Sequence, residues 1–132
     1  MSEIQIRTIE TEEDLLRLYP LIKKVPLINI LHRDLLIKCL TSQAAMVVGS
    51  IDSVDKGVAI VERVQDNLHL LAVWAENSAV EIMPSFYSWA KELGVTRISM
   101  MSTYDKDSYE RLFGVKLITA IYEKDLTEWQ PE

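Results

Sequence analysis

Apolar positions along this chain follow a helical spacing, then a strand spacing, then a helical spacing again. Ile4-Gln5-Ile6-Arg7 alternates and predicts a short first strand. Thr11-Glu12-Glu13-Asp14 supplies a capping hydroxyl and, three residues on, a carboxylate that sits over the orphan N–H groups of a first helical turn. Leu15, Leu18, Tyr19 and Ile22 repeat on one face of that helix, and Pro26 ends it or restarts the chain just after it. A second helix turns Leu35, Leu36, Cys39 and Leu40 inward and exposes Arg33, Asp34 and Lys38.

From Ala44 the period changes. Ala45 to Gly49, Gly57 to Val64 and Leu68 to Trp74 are β-branched or apolar runs separated by Asp52-Ser53-Val54-Asp55 and Gln65-Asp66-Asn67, so they predict an antiparallel meander. In the middle run Val58, Ile60, Glu62 and Val64 share one face, and Ala59, Val61 and Arg63 share the other. Ser78-Ala79-Val80-Glu81 has the form of a capping box and opens a helix to Leu93, with Gly94 as its C-terminal stop. Pro84 fits if that helix starts near Met83 and otherwise bends its first turns. Ile82, Phe86, Trp89 and Leu93, with Val80, Met83, Tyr87 and Ala90 beside them, form a stripe that faces a core. Thr96 to Met101 reads as a strand, Asp105 to Phe113 as a short helix closed by Gly114, and Lys116 to Lys124 as a last strand.

The order is β-α-α-β-β-β-α-β-α-β. The link from Trp74 through Leu93 to Ile98 is long enough for a parallel crossover, so an α/β (α+β) three-layer fold with a central mixed sheet of about six strands follows. A chain of 132 residues has room for one core, and no repeat or linker divides it. Residues 1–126 are assigned to that domain and 127–132 to an acidic tail.

Charge narrows the partners. Fourteen Lys and Arg stand against twenty Asp and Glu, a net of -6, which disfavours general nucleic-acid binding and an anionic membrane surface. No apolar run reaches membrane-spanning length, and Met1-Ser2-Glu3 lacks the basic start of a signal peptide, so a cytoplasmic protein is expected. Cys39 is the one cysteine and reads as a buried thiol. His32 and His69 have no companion ligands at metal spacing, Asp52, Asp55, Asp105 and Asp107 read as caps and turns, and no serine lies in a Gly-x-Ser-x-Gly elbow. No metal is expected.

Two segments carry a resemblance: Trp89-Ala90-Lys91-Glu92-Leu93-Gly94-Val95-Thr96-Arg97-Ile98, and Tyr109-Glu110-Arg111-Leu112-Phe113-Gly114-Val115 before the last strand. With the element order they make the chain resemble the GCN5-related N-acetyltransferase (GNAT) superfamily along nearly its whole length. The resemblance implies a fold that binds acetyl-coenzyme A between the fourth and fifth strands and acetylates an amine. It implies that backbone groups of Val73 or Trp74 hold the pantetheine, and that a Gln/Arg-x-x-Gly-x-Gly/Ala loop at the third helix holds the pyrophosphate.

That loop falls on Ser78-Ala79-Val80-Glu81-Ile82-Met83. Ser78 replaces the Gln or Arg, Glu81 the first glycine and Met83 the final small residue. A long side chain obstructs the approach of backbone N–H groups to phosphates, and the Glu81 carboxylate repels them unless it folds back on the Ser78 N–H. The loop is therefore degenerate. Acetylation also needs a base and an acid. The resemblance puts Tyr109 in the acid's place, one residue further from Gly114 than is usual, with helix-surface packing as the other reading. Glu62 or His69 is within reach of an amine if the strands lie as predicted, and a solvated strand face is the alternative for each. Glu76 reads as loop surface.

The function favoured by these residues is a GNAT-like protein with no coenzyme, serving as a non-catalytic interaction or structural protein with a protein partner or through self-association. Small acetyltransferase-like proteins of bacteriophages, including internal virion components, are similar in their brevity and lost loop, so a virion is the second expected location. Trp129 in the tail is a candidate docking residue or packs back on a sheet edge. The alternative function is an acetyl-coenzyme A-dependent N-acetyltransferase acting on an amine of a small molecule or protein.

Overall fold

A computed structural model of the protein describes residues 3–27, 30–76 and 79–100. Along them run β1 (Ile4–Thr8), α1 (Glu12–Ile22), α2 (His32–Leu40), β2 (Ala45–Ile51), β3 (Val54–Val64), β4 (Asn67–Ala75), α3 (Ala79–Glu92) and β5 (Arg97–Met100). The order matches the expected one through β5. The helix expected over 105–113, the sixth strand over 116–124 and the tail over 127–132 lie outside the described residues.

The five strands form one sheet in the order β1-β2-β3-β4-β5, antiparallel except for the parallel β4–β5 pair. Both hairpin turns are tighter than the sequence predicts. Val54 already pairs with Ile51 and Asn67 with Val64, so only Asp52-Ser53 and Gln65-Asp66 remain outside the ladders. Asp52, Ser53 and Gln65 take φ values of 50°, 70° and 58°, the left-handed conformation that lets a two-residue turn follow the twist of its strands. Each turn residue spared adds a backbone pair to the ladder, which is why the strands outgrow their apolar runs.

Helices α1 and α2 cover one face, where Leu15, Leu18, Ile22 and Leu35 pack on Met46, Val48, Val58, Ile60 and Ala72. Helix α3 covers the other, where Met83, Phe86 and Ala90 pack on Val47, Ala59, Val61, Leu68 and Leu70. Fully burying each such aliphatic side chain contributes about 1.5–3 kcal/mol, so two separate apolar clusters hold the three layers together. The alternation predicted for β3 is present. Glu62 reaches Lys38 of α2 at 3.5 Å, while Arg63 on the opposite face donates to the Leu93 carbonyl at 2.9 Å.

Local signals set the helix ends. Thr11 Oγ1 accepts from the Asp14 N–H at 3.2 Å, and α1 runs through Pro20 to stop at Ile22, ahead of Pro26. At the end of α3, Gly94 takes φ 85°, its N–H donates to Lys91 and the Val95 N–H to Ala90, the paired bonds of a Schellman motif. Two expectations need correction. Leu40 is exposed because it lies about 140° around α2 from the buried Leu35. The α3 stripe is narrower than predicted: Val80 and Leu93 are exposed at the two ends, and Ile82, Met83, Phe86 and Ala90 carry the packing. Pro84 sits inside α3, not at its start, so the Val80 carbonyl receives no N–H from it.

The first turns of α3 press on a floor of glycine. A Cβ on Gly49 would lie 2.8 Å from Ile82 Cγ2, and one on Gly57 would lie 3.2 Å from Ile82 Cδ1. We expect Gly49→Ala to destabilise the fold by about 1–3 kcal/mol in urea unfolding, as overpacked cores do. Combined with Ile82→Ala, the loss should fall short of the sum of the two single losses; strict additivity would show that Ile82 is not the obstacle.

The seam between β4 and β5 begins at Asp66, whose Oδ2 accepts the Thr96 hydroxyl at 2.7 Å and whose Oδ1 lies 3.4 Å from Arg97. The Thr96 hydroxyl and then Arg97 hold the Asp66 carboxyl below its ordinary value. A lowered folded-state value stabilises above the unfolded pKa of about 4 and is lost as pH falls through the folded one. Carboxyl NMR should therefore place the Asp66 midpoint below that of an ordinary aspartate, and Thr96→Val should move it up; an unmoved midpoint would remove Thr96 as the cause.

Candidate functional site

In β4, one residue has no partner across the ladder. Ile60 pairs with Ala72 and its neighbour Val61 with Leu70, which leaves Leu71 as an extra residue, a β-bulge. Before the bulge Leu68 and Leu70 face α3; after it Ala72 faces α1 and α2, with Leu71 and Trp74 packed beside it. Pairing with β5 runs from Asn67–Arg97 to Leu70–Met100. Among the described residues, 71–75 have no partner on that side. That side of β4, its β5-facing edge, runs from the bulge to the loop into α3.

The residues expected to hold a coenzyme are arranged around this edge in three ways. Val73 is 38% exposed and Val80 56%, and Glu81 is exposed in the first turn of α3. Ile82 and Met83 turn their side chains into the sheet, leaving only their backbone to any ligand. Ser78 lies outside the described residues, and of Ala79 only its place at the start of α3 is described. Beneath the helix, Gly49, Gly57, Val73, Ile82, Met83 and Phe86 line an apolar cleft of about 40 Å³. Ligand pockets start near 300 Å³, so that cleft is too small to enclose one. Lys56 stands at the same end, 3.6 Å from Glu76, whose backbone N–H donates to the Lys56 carbonyl.

The acid–base candidates form a row across the sheet on the α1–α2 face. Glu62 on β3 is the register partner of His69 on β4, and His69 is the partner of Ser99 on β5. His69 Nδ1 lies 2.7 Å from Ser99 Oγ, and Asn67 Nδ2 donates to the same oxygen at 3.0 Å. Glu62 and His69 thus share a row with partners, which a bare solvated face would not supply. Ser99 and Asn67 were not legible as site residues, because their meeting depends on the parallel register of two strands separated by a helix. Tyr109 lies outside the described residues.

Other candidates are engaged elsewhere. His32 Nε2 donates to the Val25 carbonyl at 2.6 Å and ties the start of α2 to the chain before it. Burial pushes the Cys39 thiol up to about 11, and burial also raises the Tyr87 hydroxyl. Among the described residues no three His, Cys, Asp or Glu side chains are placed to hold a metal, and no helix is long and apolar enough to cross a membrane.

No protein-family profile and no curated protein sequence matches the chain. Solved structures do. The aminoglycoside N-acetyltransferase AAC(6')-Iy in complex with coenzyme A is similar over 94% of this chain and 96% of its own, at 16% identity and a TM-score of 0.59. A Bacillus subtilis acetyltransferase in complex with coenzyme A is similar over 85% of this chain and 74% of its own, at 14% identity and a TM-score of 0.61. The ribosomal-protein-S18-alanine N-acetyltransferase of Escherichia coli is similar over 85% and 75%, at 11% identity and a TM-score of 0.59. The chain has the GNAT fold. At these identities the likeness is one of architecture, and the chemistry of a GNAT fold has to be argued from its residues.

The raised thiol makes a test of this face of the molecule. At neutral pH Cys39 should carry about 100-fold less thiolate than an ordinary cysteine, so a thiol reagent should label the folded protein about 100-fold more slowly than the unfolded chain. Equal rates would mean that α2 does not shield the sulfur.

Proposed function

We propose that this protein is an acyltransferase that takes an acyl-coenzyme A, in the first instance acetyl-coenzyme A, and acetylates an amine. The observation that carries the reading is the Leu71 bulge in β4, after which Val73 and Ala75 line one cleft with Ile82 and Met83 of the first turns of α3. Strand backbone past a bulge, beside a helix N-terminus, fits a ligand that is an extended amide chain at one end and a pyrophosphate at the other. Backbone groups of Val73 and Trp74 would hold the pantetheine. The N–H groups of the first turn of α3, which have no carbonyl partners within the helix, would face the phosphates. The bound thioester supplies the acetyl group, the N–C bond to the acceptor forming as the C–S bond breaks and the thiol leaves. The chain's own residues orient the acceptor and move its proton: Glu62 and His69 on the sheet, with Tyr109 as the acid that the resemblance assigns.

A second reading is favoured by one feature of the same site. Glu81 occupies the mouth of α3, with Ile82 and Met83 filling the space below it. A coenzyme site degenerate in this way suits a non-catalytic protein that binds a protein partner or itself, the tail over 127–132 being its docking segment and a phage virion one setting for it.

Calorimetry with acetyl-coenzyme A separates the two. Micromolar binding supports the acyltransferase, and no heat or thermal stabilisation at millimolar ligand leaves only the interaction protein. Glu81→Gln removes one negative charge near the positive helix terminus, an effect of about 0.3–1 kcal/mol. It should therefore tighten binding about 2- to 5-fold at low salt. Unchanged affinity would mean that the phosphates do not sit at α3.

A further inference from the structure

Asn67, His69 and Ser99 lie within the described pairs of the β4–β5 seam, which start at Asn67–Arg97. Asn67 and His69 stand two apart on β4 and so share the α1–α2 face, and Ser99 is in register with His69. Both side chains converge on one oxygen: Asn67 Nδ2 donates to Ser99 Oγ at 3.0 Å, and His69 Nδ1 is 2.7 Å from it. A serine oxygen has two lone pairs, so it accepts from Asn67 and from His69 together when the imidazole carries its proton on Nδ1. The Nε2 lone pair is then open, and among the described residues no hydrogen bond reaches it.

We infer that Ser99 and Asn67 are positioning residues that hold His69 as its Nδ1–H tautomer and present Nε2 to the acceptor amine. The inference rests on the acyltransferase reading, since it places His69 two residues before the Leu71 bulge, on the face away from α3. The amine's proton passes to Nε2 as the nitrogen is acylated, and from there to solvent. Protonation leaves the Nδ1–H bond to Ser99 in place, so the ring need not turn between its neutral and charged forms.

The charged groups around the ring are placed by the same sheet. Glu62 is the register partner of His69 on β3, Lys38 of α2 stands 3.5 Å from Glu62, and Arg97 at the start of β5 is paired with Asp66. A cross-strand trio that merely ties two strands together would need neither a particular tautomer nor an open Nε2.

Ring ¹⁵N NMR of the free protein, with His32 separable through its bond to Val25, tests the arrangement without turnover. The wild type should show His69 protonated on Nδ1, and Ser99→Ala should shift it toward Nε2. With acetyl-coenzyme A and a panel of primary amines, Ser99→Ala should lower kcat about 10-fold or more at unchanged KM for the donor, and Ser99→Thr should restore it. His69→Gln should lower kcat about 10²-fold or more while calorimetric affinity for acetyl-coenzyme A stays the same. An Nε2–H tautomer in the wild type, or wild-type turnover by His69→Gln or Ser99→Ala with donor binding intact, overturns the inference alone. A wild type that does not bind acetyl-coenzyme A overturns the acyltransferase reading and this inference with it.

Discussion

Leu71 is one residue more than the ladder between β3 and β4 can pair, and that surplus governs what both faces of the sheet present. A strand alternates strictly, so were Leu71 paired like its neighbours, Trp74 would fall on the same face as Leu68 and Leu70, under α3. That space does not exist, because the first turns of α3 already rest on Gly49 and Gly57 through Ile82. The bulge moves Trp74 to the α1–α2 side, where it packs beside Ala72, and lets α3 come down on the sheet. A small residue at Ala72 and two glycines on the opposite face are thus parts of one arrangement.

The same surplus separates two kinds of chemistry along a single seam. Toward α3 the sheet is apolar, with Leu68, Leu70, Met83 and Phe86 packed together. Toward α1 and α2, the row from Glu62 through His69 to Ser99 is polar, with Lys38 above it. The proposed acyltransferase, with a donor held mostly by main chain and an acceptor whose proton must be taken away, would use that division. Glu81 is the residue that cuts across it, placing a charge where a phosphate would need none, and it keeps the interaction reading in play.

Much of the fold was legible because its determinants are local. Thr11 caps α1, Gly94 closes α3, and the alternation of Val58 to Arg63 places Glu62 and Arg63 on opposite faces, all as the residues themselves imply. Departures occur where a neighbour decides. Leu40 is apolar yet exposed through its angle around α2, and Leu93 through its place just past the end of α3, in the turn that Gly94 closes. Pro84 is held within α3 although it denies the helix a bond, because the residues on either side of it, Met83 and Phe86, are fastened to the sheet.

For the site, the chain by itself determined which groups were at hand: two candidate acid–base residues, Glu62 and His69, and a first turn of α3 with Glu81 in place of a glycine. It also determined their faces, because the period of a strand is a property of consecutive residues. Register is not. Whether His69 meets Ser99 or stands alone depends on how a strand thirty residues downstream slides against β4, and a shift of one position would turn Ser99 to the opposite face. Only the folded sheet, with α3 carrying the chain across and β5 set parallel beside β4 in one register, decided that Asn67, His69 and Ser99 act on one another.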